Sequence, residues 1–359
     1  MNAGFEPPPY PYERLAGAKA KAAAHDGGAV DLSIGTPCDP PPAAVVDALA
    51  ASNTERGYPT SIGSPAYRDA AANWIARRFG VDLDAETAVA ACVGTKEFVA
   101  TLPQWLKLRT PKRDTVLYPS VAYPTYEMGA ILAGCRAVPV DDIAAIDPAD
   151  AERALVLWVN SPANPSGAVV DLDAAAAWGR ANGVPVFSDE CYVEFTWDGR
   201  GRTILESGVD GVVAVHSLSK RSNLAGLRAG FYAGDPDLVH YLSEVRKHVG
   251  MLVPGPVQAA GAVALSDDTH VEEQRERYRE RLEFFRAVID APMPAGAFYL
   301  WAPVPGGDAW AFTEDLAARG GALVSPGEFY GPAGAGFVRV AMVQPMERLE
   351  LVAERLGMA

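Results

Sequence analysis

The chain reads as an α/β protein: a large unit on a mainly parallel sheet, with a smaller α+β unit. Three observations predict this. Continuous apolar runs at 116–118, 155–159, 185–187 and 212–215 look like strands covered on both faces. Stretches of helical character, such as 171–181, lie between them. Beyond a long charged helix near 269–289, strand-like 296–301, helix-like 308–319 and strand-like 337–343 follow one another. Strands alternating with helices make a parallel sheet with helices packed on it.

Taken in order, Asp31-Leu32-Ser33-Ile34 is a short strand that breaks into the turn Gly35-Thr36-Pro37. Residues 66–79 place Trp74, Ile75 and Phe79 at helical spacing. A strand-like run at 89–93 precedes Gly94-Thr95-Lys96, which opens a helix, and residues 136–140 form another short strand. The charge run of the 269–289 helix reads as a solvated face. Gly331, Gly334 and Gly336 have no clear helix after them and read as a flexible loop rather than a nucleotide seat. The expected division is a large domain at 38–265 and a small one made of 1–37 and 266–359.

Composition narrows the function. The chain has 359 residues, 49% of them apolar and 21% charged, which is ordinary for a soluble globular protein. A net charge of −14 argues against nucleic acid or an anionic membrane as the main partner. No apolar run approaches the length of a membrane span. The proline-rich start lacks a signal-peptide layout, so a cytoplasmic protein is expected. Four cysteines form no C-x-x-C pair and five histidines show no ligand spacing, so no metal site is expected.

The most informative run is Ser217-Leu218-Ser219-Lys220, with Arg228 eight residues after the lysine. A lysine amine attacks carbonyls. Ser217, Ser219 and Arg228 suit a phosphate dianion, for which a guanidinium offers a fixed fork of donors. Together they fit a phosphate-bearing aldehyde cofactor; a surface loop is the plainer alternative. Asp189 follows the apolar run 185–187, at the strand end where open α/β sheets bind ligands. An anion there would keep a pyridine ring protonated. Glu190 is the rival carboxylate, and Tyr192 lies close enough in sequence to serve the ring's phenolic oxygen. Gly94-Thr95-Lys96 offers backbone N–H groups at a helix start, a natural phosphate seat.

These segments resemble the class I/II aminotransferases of fold-type I, which use pyridoxal 5'-phosphate. The lysine run resembles their S-x-S-K…G-x-R-x-G pattern, and the run from Asn160 to Gly167 resembles N-P-x-N-P-[ST]-G, with N-S-P in place of the first N-P. The stretch from Gly57 to Arg68 resembles G-Y-x-x-x-x-G-x-x-x-L-R, with Tyr67 where leucine is usual. The resemblance covers Gly35 to Arg339 and implies roles. Lys220 would be the catalytic amine and Asp189 the partner of the ring nitrogen, in preference to Glu190. Tyr123 would stack on the ring, with Tyr126 packing in the core. Asn164 would bond the phenolic oxygen and lie near the substrate carboxylate. Arg339 would bind that carboxylate, with the Gly35 backbone close by. Tyr58 would reach the phosphate of the partner subunit's cofactor, which makes the expected assembly a homodimer.

Longer stretches, including 30–37, 160–167, 188–192 and 216–230, are similar to actinobacterial N-succinyldiaminopimelate aminotransferases. That implies amino transfer from N-succinyl-LL-2,6-diaminopimelate to 2-oxoglutarate, or from glutamate in reverse, on the route to diaminopimelate and lysine. Arg221 and Lys96 are candidates for the succinyl group and distal carboxylate. Three other readings share the cofactor residues: an aspartate/alanine-type aminotransferase, a β-eliminating lyase, and a non-catalytic regulator that senses the cofactor.

Overall fold

The computed structural model describes residues 4–358. Its strands are β1 (Val30–Asp31), β2 (Val89–Cys92), β3 (Thr115–Pro119), β4 (Arg136–Val140), β5 (Ala154–Asn160), β6 (Val186–Asp189), β7 (Val212–Ser217), β8 (Gly230–Gly234), β9 (Tyr299–Pro303), β10 (Ala322–Leu323), β11 (Ser325–Pro326) and β12 (Phe337–Ala341). The central sheet has the order β2-β8-β7-β6-β5-β3-β4. All its pairings are parallel except those of β8, which runs antiparallel to β2 and β7. Every residue of β5 is buried, which explains why that run is apolar without alternation.

Helices cover both faces. On one face, helix Pro65–Phe79 sets Tyr67, Trp74 and Ile75 into a core shared with β5, β6 and β7. Ser64 caps that helix by accepting from the Tyr67 N–H at 3.3 Å, Pro65 starts it without needing an amide partner, and Gly80 ends it in the left-handed region. On the other face, Phe98 and Leu102 of helix Thr95–Arg109 pack with Phe187 and Tyr232. Full burial of each such side chain contributes about 1.5–3 kcal/mol.

Outside this sheet, β11-β12-β9 form an antiparallel sheet, and β1 pairs in parallel with β10. The first strand expected after the long helix starts later, at Tyr299, because Ala297 turns with φ +60° and Gly296 bridges to Thr196 instead. β8 is not apparent from the sequence. Its Gly-Phe-Tyr-Ala-Gly run looks like a turn, yet both glycines are needed there, since a Cβ on either would strike β7 backbone.

The charged helix, Thr269–Val288, is not simply a solvated face. Tyr278, Arg281, Leu282 and Phe285 are buried along it, and Arg281 holds Asp39 through two bonds of 2.7 Å. The glycine-rich segment is two short 3-10 turns, Gly327–Tyr330 and Pro332–Gly334, and the Tyr330 carbonyl accepts from the Ala122 N–H. Among the described residues, no helix is long and apolar enough to cross a membrane.

Candidate active site

Parallel pairing in register brings the carboxyl ends of β5, β6 and β7 to one edge, so Asn160, Asp189 and Ser217 face a common space. That space is a cavity of about 470 Å³. Gly35, Thr95, Lys96, Tyr123, Asn164, Asp189, Tyr192, Ser217, Ser219, Lys220, Arg228 and Arg339 all line it. Gly94 sits just behind this wall.

One corner is built for an anion. Gly94, at φ +77°, precedes the first turn of helix Thr95–Arg109, whose N–H groups carry partial positive charge. A side chain on Gly94 would collide with the Arg228 guanidinium. Ser217 Oγ accepts from the Ser219 N–H at 3.1 Å. Arg228 itself adopts a left-handed backbone and donates to the Ala225 carbonyl at 3.0 Å. Among the described residues, no carboxylate pairs with it.

Asp189 marks another side. Its Oδ2 accepts from the Tyr126 hydroxyl at 2.9 Å and its Oδ1 from the Cys191 N–H at 3.2 Å. Burial pushes its pKa up, and the bonds from Cys191 and Tyr126 oppose that. Among the described residues, no Lys or Arg pairs with it. A carboxylate withdrawn from water without a cation suits a cationic ligand atom. Glu190, its rival, points elsewhere: Oε1 accepts from the buried Ile204 N–H at 2.8 Å.

Lys220 lies on the one-turn helix Leu218–Arg221, with Nζ donating to the Gly35 carbonyl. Burial lowers its pKa to about 8, with Arg339 and Arg228 adding to the effect and Cys191 opposing it. About a tenth of the amine is therefore uncharged, and nucleophilic, at pH 7, far more than for an ordinary lysine.

Arg339, on β12, is buried. It donates to Asn164 Oδ1 at 2.9 Å, to the Ser33 carbonyl at 2.6 Å and to the Tyr12 hydroxyl at 3.2 Å. Its guanidinium lies over the rings of Tyr299 (4.3 Å) and Tyr330 (4.8 Å), and its Nε has no partner among the described residues. Asn164 is fixed in turn by its N–H bond to Asn160 Oδ1 at 2.8 Å. A Cβ on Gly35 would run into the Tyr299 ring, so only glycine brings the chain this close.

Several of the expected residues have protein partners of their own, and Arg221 is misplaced. Tyr126 is buried, yet its hydroxyl serves Asp189 rather than merely filling the core. The Tyr192 hydroxyl shares a 2.7 Å bond with Tyr299. Arg221 does not line the cavity. It is buried behind the wall, where it bonds Glu194 at 3.2 Å and Asp268 at 2.7 Å and lies 5.6 Å from the Trp74 ring. Lys96 does line the cavity; its Nζ donates to the Tyr10 hydroxyl at 3.2 Å and sits 5.5 Å from the Tyr123 ring. Tyr123 in turn shares a 2.7 Å hydroxyl bond with Tyr10. Tyr58 is 99% exposed and lies off this cavity. Tyr10, Tyr12 and Tyr299 are not legible in the sequence, because nothing local marks a tyrosine that meets partners more than a hundred residues away.

The cavity thus offers an anion corner, an unpaired carboxylate, a depressed amine and a buried arginine. These donors fit pyridoxal 5'-phosphate with an amino acid beside it: phosphate at Arg228 and the helix start, ring nitrogen at Asp189, aldehyde at Lys220. The comparisons agree. OxyQ, the 4-dedimethylamino-4-oxo-anhydrotetracycline transaminase of Streptomyces rimosus, is 45% identical over 364 residues, covering 98% of this chain and 99% of that protein. The LL-diaminopimelate aminotransferase of Desulforudis audaxviator is 36% identical, covering 97% and 95%. Among solved structures, a probable N-succinyldiaminopimelate aminotransferase from Thermus thermophilus superposes with a TM-score of 0.87 at 32% identity, covering 97% of this chain and 100% of that one. The model of aminotransferase class I and II matches residues 28–356, so the chain belongs to that family and is a pyridoxal 5'-phosphate-dependent aminotransferase of the fold-type I architecture.

Proposed function

We propose that the chain transfers the amino group of N-succinyl-LL-2,6-diaminopimelate to 2-oxoglutarate. The observation that carries this reading is a pair of cavity cations beyond the phosphate corner, Arg339 and Lys96, neither of which has a carboxylate partner among the described residues. A donor with carboxylates at both ends suits two such cations. The diaminopimelate names of the Desulforudis and Thermus proteins support the same substrate class. The OxyQ relationship and the tyrosines at 10, 12, 123 and 299 favour a second reading, a bulky cyclic ketone as acceptor.

When bound, the cofactor supplies an aldehyde that accepts an amine and a protonated ring that withdraws electrons. The chain's residues do the rest. Asp189 holds the proton on the ring nitrogen, aided by the Tyr126 bond. Ser217, Ser219, Arg228, Thr95 and the N–H groups after Gly94 hold the phosphate. Tyr123 lies against the ring, while Asn164 and Tyr192 orient its phenolic oxygen. Arg339, with Asn164 and the Gly35 backbone, fixes the donor's carboxylate. Lys220 Nζ takes the proton from the donor's amine-bearing carbon and returns it on the cofactor side. On this reading, segment 38–265 carries the cofactor groups, whereas 1–37 and 266–359 supply Gly35 and Arg339. Exposed Tyr58 serves the phosphate of a second copy in a homodimer.

A coupled assay of glutamate formation from 2-oxoglutarate tests the substrate. With N-succinyl-LL-diaminopimelate, aspartate and alanine compared as donors, the expected result is a preference for the succinylated donor of at least about 10²-fold in kcat/KM, the scale of two charge-assisted contacts. Equal or better use of aspartate or alanine would overturn the substrate and leave the family and cofactor in place.

A further inference from the structure

Behind the cavity wall, past Cys191 and Ser217, lies a second space of about 10 Å³. Trp74, Glu190, Glu194, His216 and Arg221 line it. Three buried polar atoms lining it have no hydrogen-bond partner among the described residues: Glu190 Oε2 and both ring nitrogens of His216. Buried polar atoms are normally satisfied, so three orphans at the ends of two adjacent strands call for an explanation.

Glu190 Oε2 lies 3.4 Å from His216 Nε2, and both side chains are almost wholly buried. A proton on the carboxyl lets Oε2 donate to an uncharged Nε2, which gives both atoms a partner. The surroundings favour this form. Asp189, one residue before Glu190, is already an unpaired anion. Burial, and then Arg221, disfavour a charged imidazole, with the Glu190 backbone opposing them; the charge of Arg221 is itself committed to Glu194 and Asp268. Arg78 also pairs with Glu194. The imidazole packs edge-on to Trp74 at 4.9 Å and beside Phe231 at 5.0 Å. Glu190 also meets the Ile204 N–H, the Thr203 hydroxyl and, from its own strand, the Ser188 hydroxyl, while Glu194 and Arg221 line the same space. Burial acts the same way on both groups, raising Glu190 to about 8 and lowering His216 to about 3.

We propose that Glu190 and His216 are positioning residues of the cofactor site, forming a buried, uncharged pair in which the Glu190 carboxyl donates to the His216 ring. Glu190 follows Asp189 at the end of β6, and His216 precedes Ser217 at the end of β7. The pair therefore ties the strand end that holds the ring anchor to the one that leads into the phosphate anchor. It also leaves Asp189 as the one anion facing the ring. This inference rests on the family's cofactor and not on the choice of amino donor.

Infrared spectroscopy of the cofactor-free protein tests the protonation. The expected spectrum at neutral pH has a protonated-carboxyl band that moves on ¹³C-labelling of glutamate carboxyls but not of aspartate carboxyls. The band should vanish in Glu190→Gln and fade as pH rises through about 8. No glutamate-sensitive band at neutral pH would overturn the proposal, and labelled wild-type protein gives that answer even if the variant does not fold. Positioning is read by titrating pyridoxal 5'-phosphate into the protein. Glu190→Ala should weaken its binding about tenfold, the usual scale for a residue that supports a ligand-holding group, and Glu190→Gln should restore most of it. Wild-type affinity in the alanine variant would contradict the role.

Discussion

Replacing Lys220 with alanine should remove amino transfer and the visible absorbance of the bound cofactor while leaving the fold intact. Proton transfer by a positioned side chain supplies about 10²–10⁴ in rate. The amine is also the nucleophile, so the expected loss is at least about 10⁴-fold. Stability should change little, because the side chain's one hydrogen bond is to the Gly35 carbonyl. The depressed amine has its own signature. An exposed lysine becomes reactive only near pH 10.4, about its ordinary pKa. In cofactor-free protein, Lys220 should react with an amine reagent as pH rises through about 8, since the uncharged form accumulates above the pKa. Peptide mapping across a pH series reads this. Retained turnover in Lys220→Ala would sink the assignment of the nucleophile.

Arg339→Lys should raise KM for the amino donor about 10- to 100-fold, with a smaller change in kcat. Hydrogen bonds to a charged group contribute about 1.5–3 kcal/mol each, and that range sets the scale. The guanidinium holds Asn164, the Ser33 carbonyl and Tyr12 simultaneously, and still has a free Nε. A lysine ammonium is a compact charge without the planar fork, so it cannot keep those partners and also meet a carboxylate with two parallel bonds. Initial rates over a donor concentration series separate the two constants. An unchanged KM would place the carboxylate elsewhere.

The residues that were legible in sequence share one property: each lies beside a local marker. Asp189 and Ser217 end apolar strands, Gly94 opens a helix, and Lys220 and Arg228 fall within one short run. Parallel pairing then carries these local features to one edge of the sheet. What escaped was set by long-range packing. Tyr126 reads as an apolar helix position, and only the turn of helix Thr125–Leu132 aims its hydroxyl at Asp189. Tyr10 and Tyr12 sit in a proline-rich lead, and their partners Tyr123 and Arg339 are 113 and 327 positions away. Arg221, next to the catalytic lysine, looked like a ligand-binding cation. A helix sends neighbouring side chains to different faces, so it points back into the core, to Glu194. β8 was hidden because a strand bounded by two glycines carries the composition of a turn.

An aminotransferase exchanges the amino group in two separable halves. The most direct measurement is the absorbance of the cofactor-loaded protein mixed with an amino donor and no keto acid. The visible absorbance should fall in a single turnover, with one equivalent of keto acid released per site, and 2-oxoglutarate should restore the spectrum with one equivalent of glutamate. Continuous release of ammonia and keto acid from the donor, with the spectrum unchanged, would contradict this exchange and make the site eliminating rather than transferring.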